Sequence, residues 1–180
     1  MAWNLSPVSP LCLTDDRNYG TGSLIAVQGQ ILCLTAAHVL KKPAPDSDTL
    51  VKLLPRDEFG KFRIDATKIS FGLTIEECFL SEIDIAVVLP ESHHMLTVNN
   101  VEKLGKTFLR PFELPDQRQL LGKVVAKNGC ASGLTLGRIA AVSQTSIEVD
   151  GTHVGPFAMP GDSGALLIDY ETKCVLGVLS

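Results

Sequence analysis

The 180-residue sequence lacks the features that would assign it to a membrane or to nucleic acid. No apolar run approaches the roughly 20 residues needed to cross a bilayer. Lys and Arg together (16) are fewer than Asp and Glu (20), the net charge is −4, and the basic residues form no cluster interleaved with aromatic ones. Nucleic-acid-binding proteins usually carry such a cluster. We therefore expect a globular protein whose partners include neither a membrane nor nucleic acid.

Cysteine is sparse, and its spacing argues against two further classes. The five cysteines are scattered and none forms a CxxC pair, so neither a disulfide framework nor a zinc site is predicted. The N-terminal stretch Met1–Asp16 lacks a basic segment, and Pro7 and Pro10 interrupt its apolar residues, unlike a secretory signal. We expect a cytoplasmic location, with secretion of a processed form left open. Free thiols packed in a reducing compartment are the expectation for Cys12, Cys33, Cys78, Cys130 and Cys174.

What the sequence does contain is a series of short runs typical of β-strands. Apolar and polar residues alternate between Gly, Pro and Asp punctuation, which predicts an all-β protein built as a sandwich or as barrels. A hairpin is expected over Gly22–Ala37 with its turn near Gly29, and Gly20–Gly22 is interpreted as a turn leading into it. Further β patterning covers Thr49–Leu54, Phe62–Phe71, Asp84–Leu89, Lys123–Gly129, Gly137–Gly151, Gly164–Asp169 and Lys173–Ser180. Asp84–Leu89 contains a continuous apolar run that suits a strand buried on both faces, and the last two segments are expected to be joined by a tight turn at Tyr170–Thr172.

Two stretches are less regular. Thr74 and Glu77 have capping-box spacing, which predicts either one helical turn or a loop at that point. Residues 91–121 are mixed and polar and are interpreted as a connector between two halves of the chain. His93 and His94 within it are expected to be ordinary surface residues.

Three segments carry side chains whose chemistry fits together. His38 follows an apolar strand in "LTAAHVL", Asp84 precedes a buried run in "EIDIAVVLP", and Ser163 lies on the turn "PGDSGA". A serine hydroxyl becomes a nucleophile when a neutral imidazole accepts its proton, and a carboxylate orients that imidazole. Each residue alone is compatible with a structural role, but together they predict a nucleophilic catalytic site.

The glycines around Ser163 have a chemical reason of their own. Acyl transfer needs backbone N–H groups about 3 Å from the developing oxyanion. The N–H groups of Gly161 and Ser163 can point into one small pocket if the backbone bends sharply, which Gly161 permits. Gly164 leaves room behind the nucleophile. The turn is therefore predicted to expose Ser163 and to form an oxyanion hole.

These segments resemble those of a known family. "LTAAHVL", "DIAVV" and "GDSGA" are similar to the His, Asp and Ser boxes of the chymotrypsin-like (trypsin-like) serine peptidases, in that family's order. A fourth segment, "NGCASGLTLGRI" at Asn128–Ile139, resembles the one that opens the family's second barrel. The resemblance implies a serine endopeptidase that hydrolyses a polypeptide substrate through an acyl-enzyme, with no metal and no organic cofactor.

The resemblance also implies an architecture of two packed antiparallel six-stranded β-barrels. Residues 1–95 would form the N-terminal barrel that carries His38 and Asp84. Residues 96–180 would form the connector and the C-terminal barrel that carries Ser163 and the oxyanion hole. The cleft between the barrels would hold the catalytic residues.

The sequence departs from the family's pattern around the nucleophile. Ala165 replaces the last glycine of the serine box. No activation terminus is present whose amino group could pair with Asp162, and Cys130 stands where some relatives carry an Arg for this purpose. Lys127 and Arg138 are both left as candidate partners of Asp162.

A substrate pocket is implied around Phe157, Ala158, Met159 and Ser180. Phe157 stands where trypsins carry the Asp that selects basic residues, and Leu179 stands where Glu-selective relatives have a His. A small or apolar residue is therefore expected before the cleaved bond. His153 is interpreted either as a substrate contact or as a solvated loop residue.

The family's strand after Ser180 has no counterpart, so the second barrel is expected to be incomplete. Either the chain belongs to a longer protein with further domains beyond Ser180, or another chain completes the barrel. Two other functions stay open. One is a self-processing module that cuts only its parent polypeptide, and the other is an inactive relative that binds a peptide in the cleft.

Overall fold

Alternation of apolar and polar residues places one face of a strand in a core, and eleven strands form in the part of the chain that the structure describes. The structure is a computed structural model that describes residues 10–15, 17–27, 30–40, 42, 49–54, 63, 67–91, 119–152 and 155–180. The strands are β1 (Leu11–Thr14), β2 (Tyr19–Val27), β3 (Gln30–Thr35), β4 (Thr49–Leu53), β5 (Ile69–Leu80), β6 (Ile85–Pro90), β7 (Val124–Gly129), β8 (Gly133–Val142), β9 (Ile147–Gly151), β10 (Leu166–Asp169) and β11 (Val175–Val178). Two short 3₁₀ helices, Ala37–Val39 and Ser81–Ile83, lie between strands, and within the described ranges no helix has the length and apolar character to span a bilayer.

The first six strands close into a barrel in the order β1-β2-β3-β6-β5-β4. Neighbouring strands are antiparallel, and Leu13 of β1 pairs with Leu53 of β4 to close the circle. Closure satisfies the strand edges that an open sheet would leave exposed. The interior is one continuous apolar cluster made of Leu13, Leu24, Cys33, Ala36, Ala37, Val39, Leu40, Val51, Phe71, Ala86 and Val88.

The other five strands form a curled antiparallel sheet in the order β11-β10-β7-β8-β9. Its core consists of Leu120, Val125, Ile139, Phe157 and Leu167. The prediction of an all-β protein with two barrel-like halves, the second incomplete, is therefore confirmed. The second half has five strands among the described residues, where a complete barrel of this type would have six. The predicted boundary between residues 95 and 96 lies outside the described residues and stays a prediction.

Several strand predictions are confirmed. The predicted hairpin is β2–β3, with Val27 opposite Gln30, and the residues of its turn lie outside the described ones. The β10–β11 hairpin is present around Tyr170–Thr172. β6 is a central strand between β3 and β5, but it is fully buried only on the face of Ala86 and Val88. Its alternate residues are half-buried, so the prediction of burial on both faces was too strong.

The prediction of a helical turn or loop after Thr74 is wrong, because this stretch belongs to β5. β5 pairs with β6 on both sides of a bulge, with Thr74 opposite Val88 and Phe79 opposite Ala86. Thr74 is completely buried, and among the described residues its hydroxyl has no hydrogen-bond partner, so it caps no helix. The bulge accommodates the extra residues between the two paired positions.

The start of the barrel also differs from the expectation. Gly20–Gly22 is not a turn, because these residues lie inside β2 and pair with β1, from Leu13 opposite Gly20 to Leu11 opposite Gly22. β1 itself was not predicted. The strand expected over Phe62–Phe71 begins at Ile69, and Phe62 lies outside the described residues.

Asp169 organises the β10–β11 turn in the second half. Its Oδ1 accepts the backbone N–H groups of Glu171 (2.9 Å) and Thr172 (3.2 Å), and its Oδ2 accepts Lys123 Nζ (2.9 Å). Burial by itself would raise the pKa of Asp169, but these hydrogen bonds outweigh it and hold the pKa below its ordinary value. The carboxylate form therefore stabilises the fold.

We predict that Asp169→Asn lowers the free energy of unfolding at pH 7 by about 2 kcal/mol, because charge-assisted hydrogen bonds are lost. The folded-state pKa lies below the unfolded one, so this contribution is present above about pH 4 and disappears as the pH falls through the folded-state value. Urea unfolding at pH 7 and near pH 3 measures both. Glu148→Gln, on the exposed side of β9, serves as the control. An equal effect of Asp169→Asn at both pH values would contradict the assignment.

Candidate active site

His38 lies in the 3₁₀ helix that directly follows β3, so the barrel wall positions its backbone. Its neighbours Ala37 and Val39 are buried, while 51% of the His38 side chain is exposed. Ala37 donates its N–H to the carbonyl oxygen of Asp84 at 3.1 Å. The imidazole is therefore held at the barrel surface by buried neighbours on both sides.

Asp84 contacts His38 twice. Its Oδ1 accepts the His38 backbone N–H at 2.9 Å, and its Oδ2 lies 2.7 Å from the imidazole Nδ1. Asp84 has φ 54° and ψ 43°, a left-handed conformation that Asp adopts more readily than most residues. It stands immediately before β6, and β6 pairs with β3, which ends just before His38. Strand pairing in the barrel thus brings the two side chains together.

Ser180 makes a third contact with this pair, because its Oγ donates to Asp84 Oδ2 at 2.5 Å. Partial burial by itself would raise the pKa of Asp84. Hydrogen bonds from the Ser180 hydroxyl and from the His38 backbone and imidazole outweigh that effect, and the pKa lies below its ordinary value. The ionised carboxylate accepts hydrogen bonds only, which favours the imidazole tautomer protonated at Nδ1.

Ser163 lies on a tight turn between β9 and β10. Gly161 and Gly164 have φ values of 101° and 93°, in the region that favours glycine. The N–H of Asp162 donates to the carbonyl of Met159 at 2.9 Å and closes the turn. Within the described residues, the N–H groups of Gly161 and Ser163 and the Ser163 hydroxyl have no protein partner. The turn therefore presents three unused hydrogen-bonding groups.

Ser163 and His38 come from different halves of the chain, and Gly20 lies where the halves meet. A Cβ on Gly20 would lie 2.8 Å from the Ser163 carbonyl oxygen and would collide with the side chain of Val39, the residue after His38. Ser163 is thus packed close to the segment that carries His38. No hydrogen bond joins the Ser163 hydroxyl to the imidazole in the described part of the chain.

A second connection runs through the end of the chain. The N–H of Gly164 donates to the carbonyl of Leu179 at 2.7 Å, and the N–H of Leu179 donates to the carbonyl of Ala165 at 2.8 Å. Ser180, the next residue, bonds Asp84. Leu179 and Ser180 therefore connect the residues after Ser163 to the Asp84 carboxylate.

Thr21 fastens the Ser163 turn to the barrel, a role that the sequence analysis missed. It is completely buried in β2, its N–H donates to the Ser163 carbonyl (2.7 Å), and its hydroxyl donates to the Gly161 carbonyl (3.0 Å). The same hydroxyl accepts the N–H of Cys130 (2.9 Å), and the Thr21 carbonyl accepts the hydroxyl of Thr35 (2.8 Å). A polar residue between two glycines in a strand was the available signal.

Asp162 pairs with Lys127, and this decides between the two partners that the sequence left open. The Lys127 Nζ lies 2.7 Å from Asp162 Oδ2, and neither side chain has any exposed surface. Arg138 is exposed on β8 and donates instead to the carbonyl of Gly122 at 3.0 Å. The residue between the two predicted oxyanion donors is thus held by a buried ion pair with β7.

The Asp162 carboxylate is saturated with further donors. Oδ1 accepts the N–H groups of Ala131 and Ser132, both at 3.0 Å, and Oδ2 accepts the Ser132 hydroxyl (2.6 Å) and the Met159 N–H (2.9 Å). Burial alone would raise the pKa of Asp162, but the hydrogen bonds from Lys127, Ser132 and Met159 outweigh it and lower the pKa below its ordinary value. The charge therefore stays on Asp162 at neutral pH.

The residues predicted to line a substrate pocket differ in their exposure to solvent. Phe157 is buried in the core of the second sheet, where its ring packs against Gly137. Ala158 and Met159 are exposed, and so is Ser180. The predicted contact residue His153, together with His93 and His94, lies outside the described residues. Ala165, the departure in the serine box, is completely buried behind the turn.

The fold is similar to those of two solved proteases. "NSP4 proteinase from Equine Arteritis Virus" is 18% identical, with 94% of this chain and 64% of that chain covered and a TM-score of 0.49. "HtrA-type protease AlgW with tripeptide" is 18% identical, with 94% of this chain and 50% of that chain covered and a TM-score of 0.52. The chain thus spans from half to just under two thirds of the length of these structures. At such identity a likeness concerns the fold alone, and the AlgW structure, together with the closed barrel and the second curled sheet, supports a chymotrypsin-like fold.

No protein-family model and no curated protein sequence matches the chain.

We predict that Lys127→Met lowers the free energy of unfolding by about 3–5 kcal/mol, because it leaves the Asp162 charge buried and unpaired. Arg138→Met is the matched control and should change stability by less than about 0.5 kcal/mol. Chemical denaturation of both variants measures the difference.

Adding Asp162→Asn to the Lys127→Met variant should recover part of the loss, since the uncompensated charge is then removed. Equal free energies of unfolding for Lys127→Met and Arg138→Met would contradict the importance of the buried pair.

Proposed function

We propose that the chain is a serine peptidase of the chymotrypsin type, with Ser163 as nucleophile, His38 as general base and Asp84 as the group that orients His38. The observation that carries this proposal is an Asp84–His38 pair at 2.7 Å beside a turn with three unused hydrogen-bonding groups. Packed backbone N–H groups are rarely left without a partner in a purely structural turn. We propose that a substrate carbonyl oxygen accepts hydrogen bonds from the N–H groups of Gly161 and Ser163.

In the proposed reaction, Ser163 Oγ attacks the carbonyl carbon of the scissile bond while His38 Nε2 accepts the hydroxyl proton. The N–H groups of Gly161 and Ser163 donate to the oxyanion of the tetrahedral intermediate. The imidazolium then gives its proton to the leaving amine, the C–N bond breaks and an acyl-enzyme remains. Water attacks the ester with His38 again as base, which releases the acid and restores Ser163.

The ion pair of Asp162 with Lys127 supports an oxyanion turn that needs no cleavage event to form. Both members are part of the folded chain, at 2.7 Å from each other and without exposed surface. A new α-amino group is therefore not required to hold Asp162 in this position. We infer that a peptidase built this way has a formed turn as soon as it folds.

The specificity we propose is for a small or apolar residue before the cleaved bond of a polypeptide. Phe157 places a phenyl ring in the core where a basic-selective pocket would need a carboxylate. Met159, 50% exposed, adds apolar surface beside the turn. Neither residue offers a charge to a Lys or Arg side chain.

An inactive peptide-binding domain is the second candidate function. The missing hydrogen bond between the Ser163 hydroxyl and the imidazole favours it. Catalytic hydrogen bonds are often long in unliganded enzymes and tighten in the substrate complex, so the geometry is compatible with both functions. A self-processing module would use the same residues on its own parent polypeptide.

We predict that a fluorophosphonate labels the protein covalently and that Ser163→Ala abolishes the label, because the probe reacts with an activated serine. Ser146→Ala, in the exposed β8–β9 turn, should label like the wild type and is the matched control. Intact-mass spectrometry measures the adduct. A label that survives Ser163→Ala would refute the proposal, and a folded wild type that takes no label would favour the inactive domain.

His38→Ala should slow labelling by at least about 100-fold, because the base that accepts the Ser163 proton is removed. Circular dichroism of the variant controls for folding. An unchanged rate would show that Ser163 does not depend on His38. If wild-type protein that has not been treated with the fluorophosphonate cleaves an added unfolded protein, this would argue against exclusive self-processing.

A further inference from the structure

Two thiols from the two halves of the chain meet behind the Ser163 turn. Cys12 belongs to β1 of the barrel, and Cys130 follows β7 of the second sheet. Their Sγ atoms are 3.2 Å apart although 118 positions separate them in sequence. A disulfide has an S–S distance of about 2.05 Å, so the 3.2 Å separation must shrink by only about 1.1 Å. The fold thus brings the two sulfur atoms close to bonding distance.

The surroundings of this pair differ from those of Cys33, the other buried thiol of the barrel. Cys33 is completely buried, and this burial raises the pKa of its thiol far above the ordinary value. A hydrogen bond with Cys12 lowers the pKa of Cys130 and outweighs its own partial burial. Cys130 is partly accessible, whereas Cys12 has 1% exposure. Cys130 is therefore the thiol that an oxidant in solution can reach, with Cys12 behind it.

We propose that Cys12 and Cys130 form a reversible disulfide when the protein meets hydrogen peroxide. The proposal rests on the sulfur–sulfur distance, on the opposite accessibilities of the two thiols and on their location between the two halves. It does not depend on the proposed peptidase activity.

The chemistry balances as a two-electron oxidation of the thiols by the peroxide. The Cys130 thiolate attacks one peroxide oxygen, the O–O bond breaks, and the leaving hydroxide takes a proton to become water. The resulting sulfenic acid of Cys130 is then attacked by the Cys12 sulfur. The S–O bond breaks, the Cys12 proton leaves with the hydroxyl as a second water, and the S–S bond remains. A dithiol reductant reverses the bond by thiol–disulfide exchange.

The bond would act directly on the Ser163 turn. In the reduced state the Cys130 thiol donates to the Gly161 carbonyl at 2.9 Å, and the Cys130 N–H donates to Thr21 Oγ1 at 2.9 Å. A disulfide carries no thiol proton, so Gly161 keeps only the Thr21 hydroxyl (3.0 Å) as donor among the described residues. Oxidation therefore removes one hydrogen bond from the residue whose N–H is the proposed oxyanion donor.

The test is to treat the reduced wild-type chain with hydrogen peroxide, block free thiols by alkylation and map the peptides without reduction. We expect a cross-linked peptide pair joining Cys12 to Cys130, two hydrogens lighter than the dithiol, that dithiothreitol separates. Cys12→Ala and Cys130→Ala should each abolish the pair. Cys174→Ala, a half-buried cysteine at the β10–β11 turn, is the matched control and should retain it. Oxidation should also raise the melting temperature of the wild type and of the control only, because the cross-link restricts the unfolded chain.

A peroxide-treated wild type in which Cys130 is found only as sulfinic or sulfonic acid, with Cys12 still alkylated, would overturn the proposal. The wild-type map decides the question even if an alanine variant fails to fold. Fluorophosphonate labelling of the oxidised form should be slower than that of the reduced form. If the reduced form takes no label at all, the proposed peptidase fails while the disulfide result stands on its own.

Discussion

The arrangement of the site depends on one buried ion pair, Lys127 with Asp162. Burying two opposite charges is costly unless they pair closely and their remaining hydrogen-bonding positions are filled. Here the Lys127 ammonium, the Ser132 hydroxyl and three backbone N–H groups surround a single carboxylate. Because Asp162 stands between Gly161 and Ser163, the contacts of its side chain with the second sheet restrain the backbone of both neighbours. The pair thereby converts a flexible glycine-rich turn into a defined one.

The second constraint is the contact between the two halves. Each half supplies part of the candidate site: the barrel carries His38 and Asp84, and the second sheet carries the Ser163 turn. Thr21 of β2 joins them through both its backbone and its hydroxyl, and Gly20 beside it leaves the space in which the two segments approach. The thiols of Cys12 and Cys130 lie at this same contact. A chemical change at these thiols would therefore alter the contacts of the Ser163 turn without a direct contact to His38 or Asp84.

The paired strands of the barrel restrict the movement of the segments that carry His38 and Asp84. β3 and β6 are paired neighbours in a closed sheet, so the ends that carry His38 and Asp84 cannot move independently without breaking ladder hydrogen bonds. The left-handed backbone of Asp84 turns its carboxylate toward the imidazole. Such conformations persist where the surrounding structure over-determines them, and here the backbone contact with Ala37 and the bonds to His38 and Ser180 do so.

Local patterns in the sequence were sufficient to predict the all-β class and the β2–β3 and β10–β11 hairpins. They also pointed to His38, Asp84 and Ser163 as candidate catalytic residues, a role that stays a prediction. Strand alternation, turn glycines and short motifs are properties of neighbouring residues, and they can be read without knowing the fold. The stretch after Thr74 was misread because its capping-box spacing is also local, whereas the pairing of β5 with β6 that overrides it is not. Only the tertiary structure could choose Lys127 over Arg138, reveal Thr21 as the link between the halves and bring Cys12 to Cys130. Those contacts join residues far apart in the chain, and their partners are selected by which strands lie side by side and which side chains share one buried space.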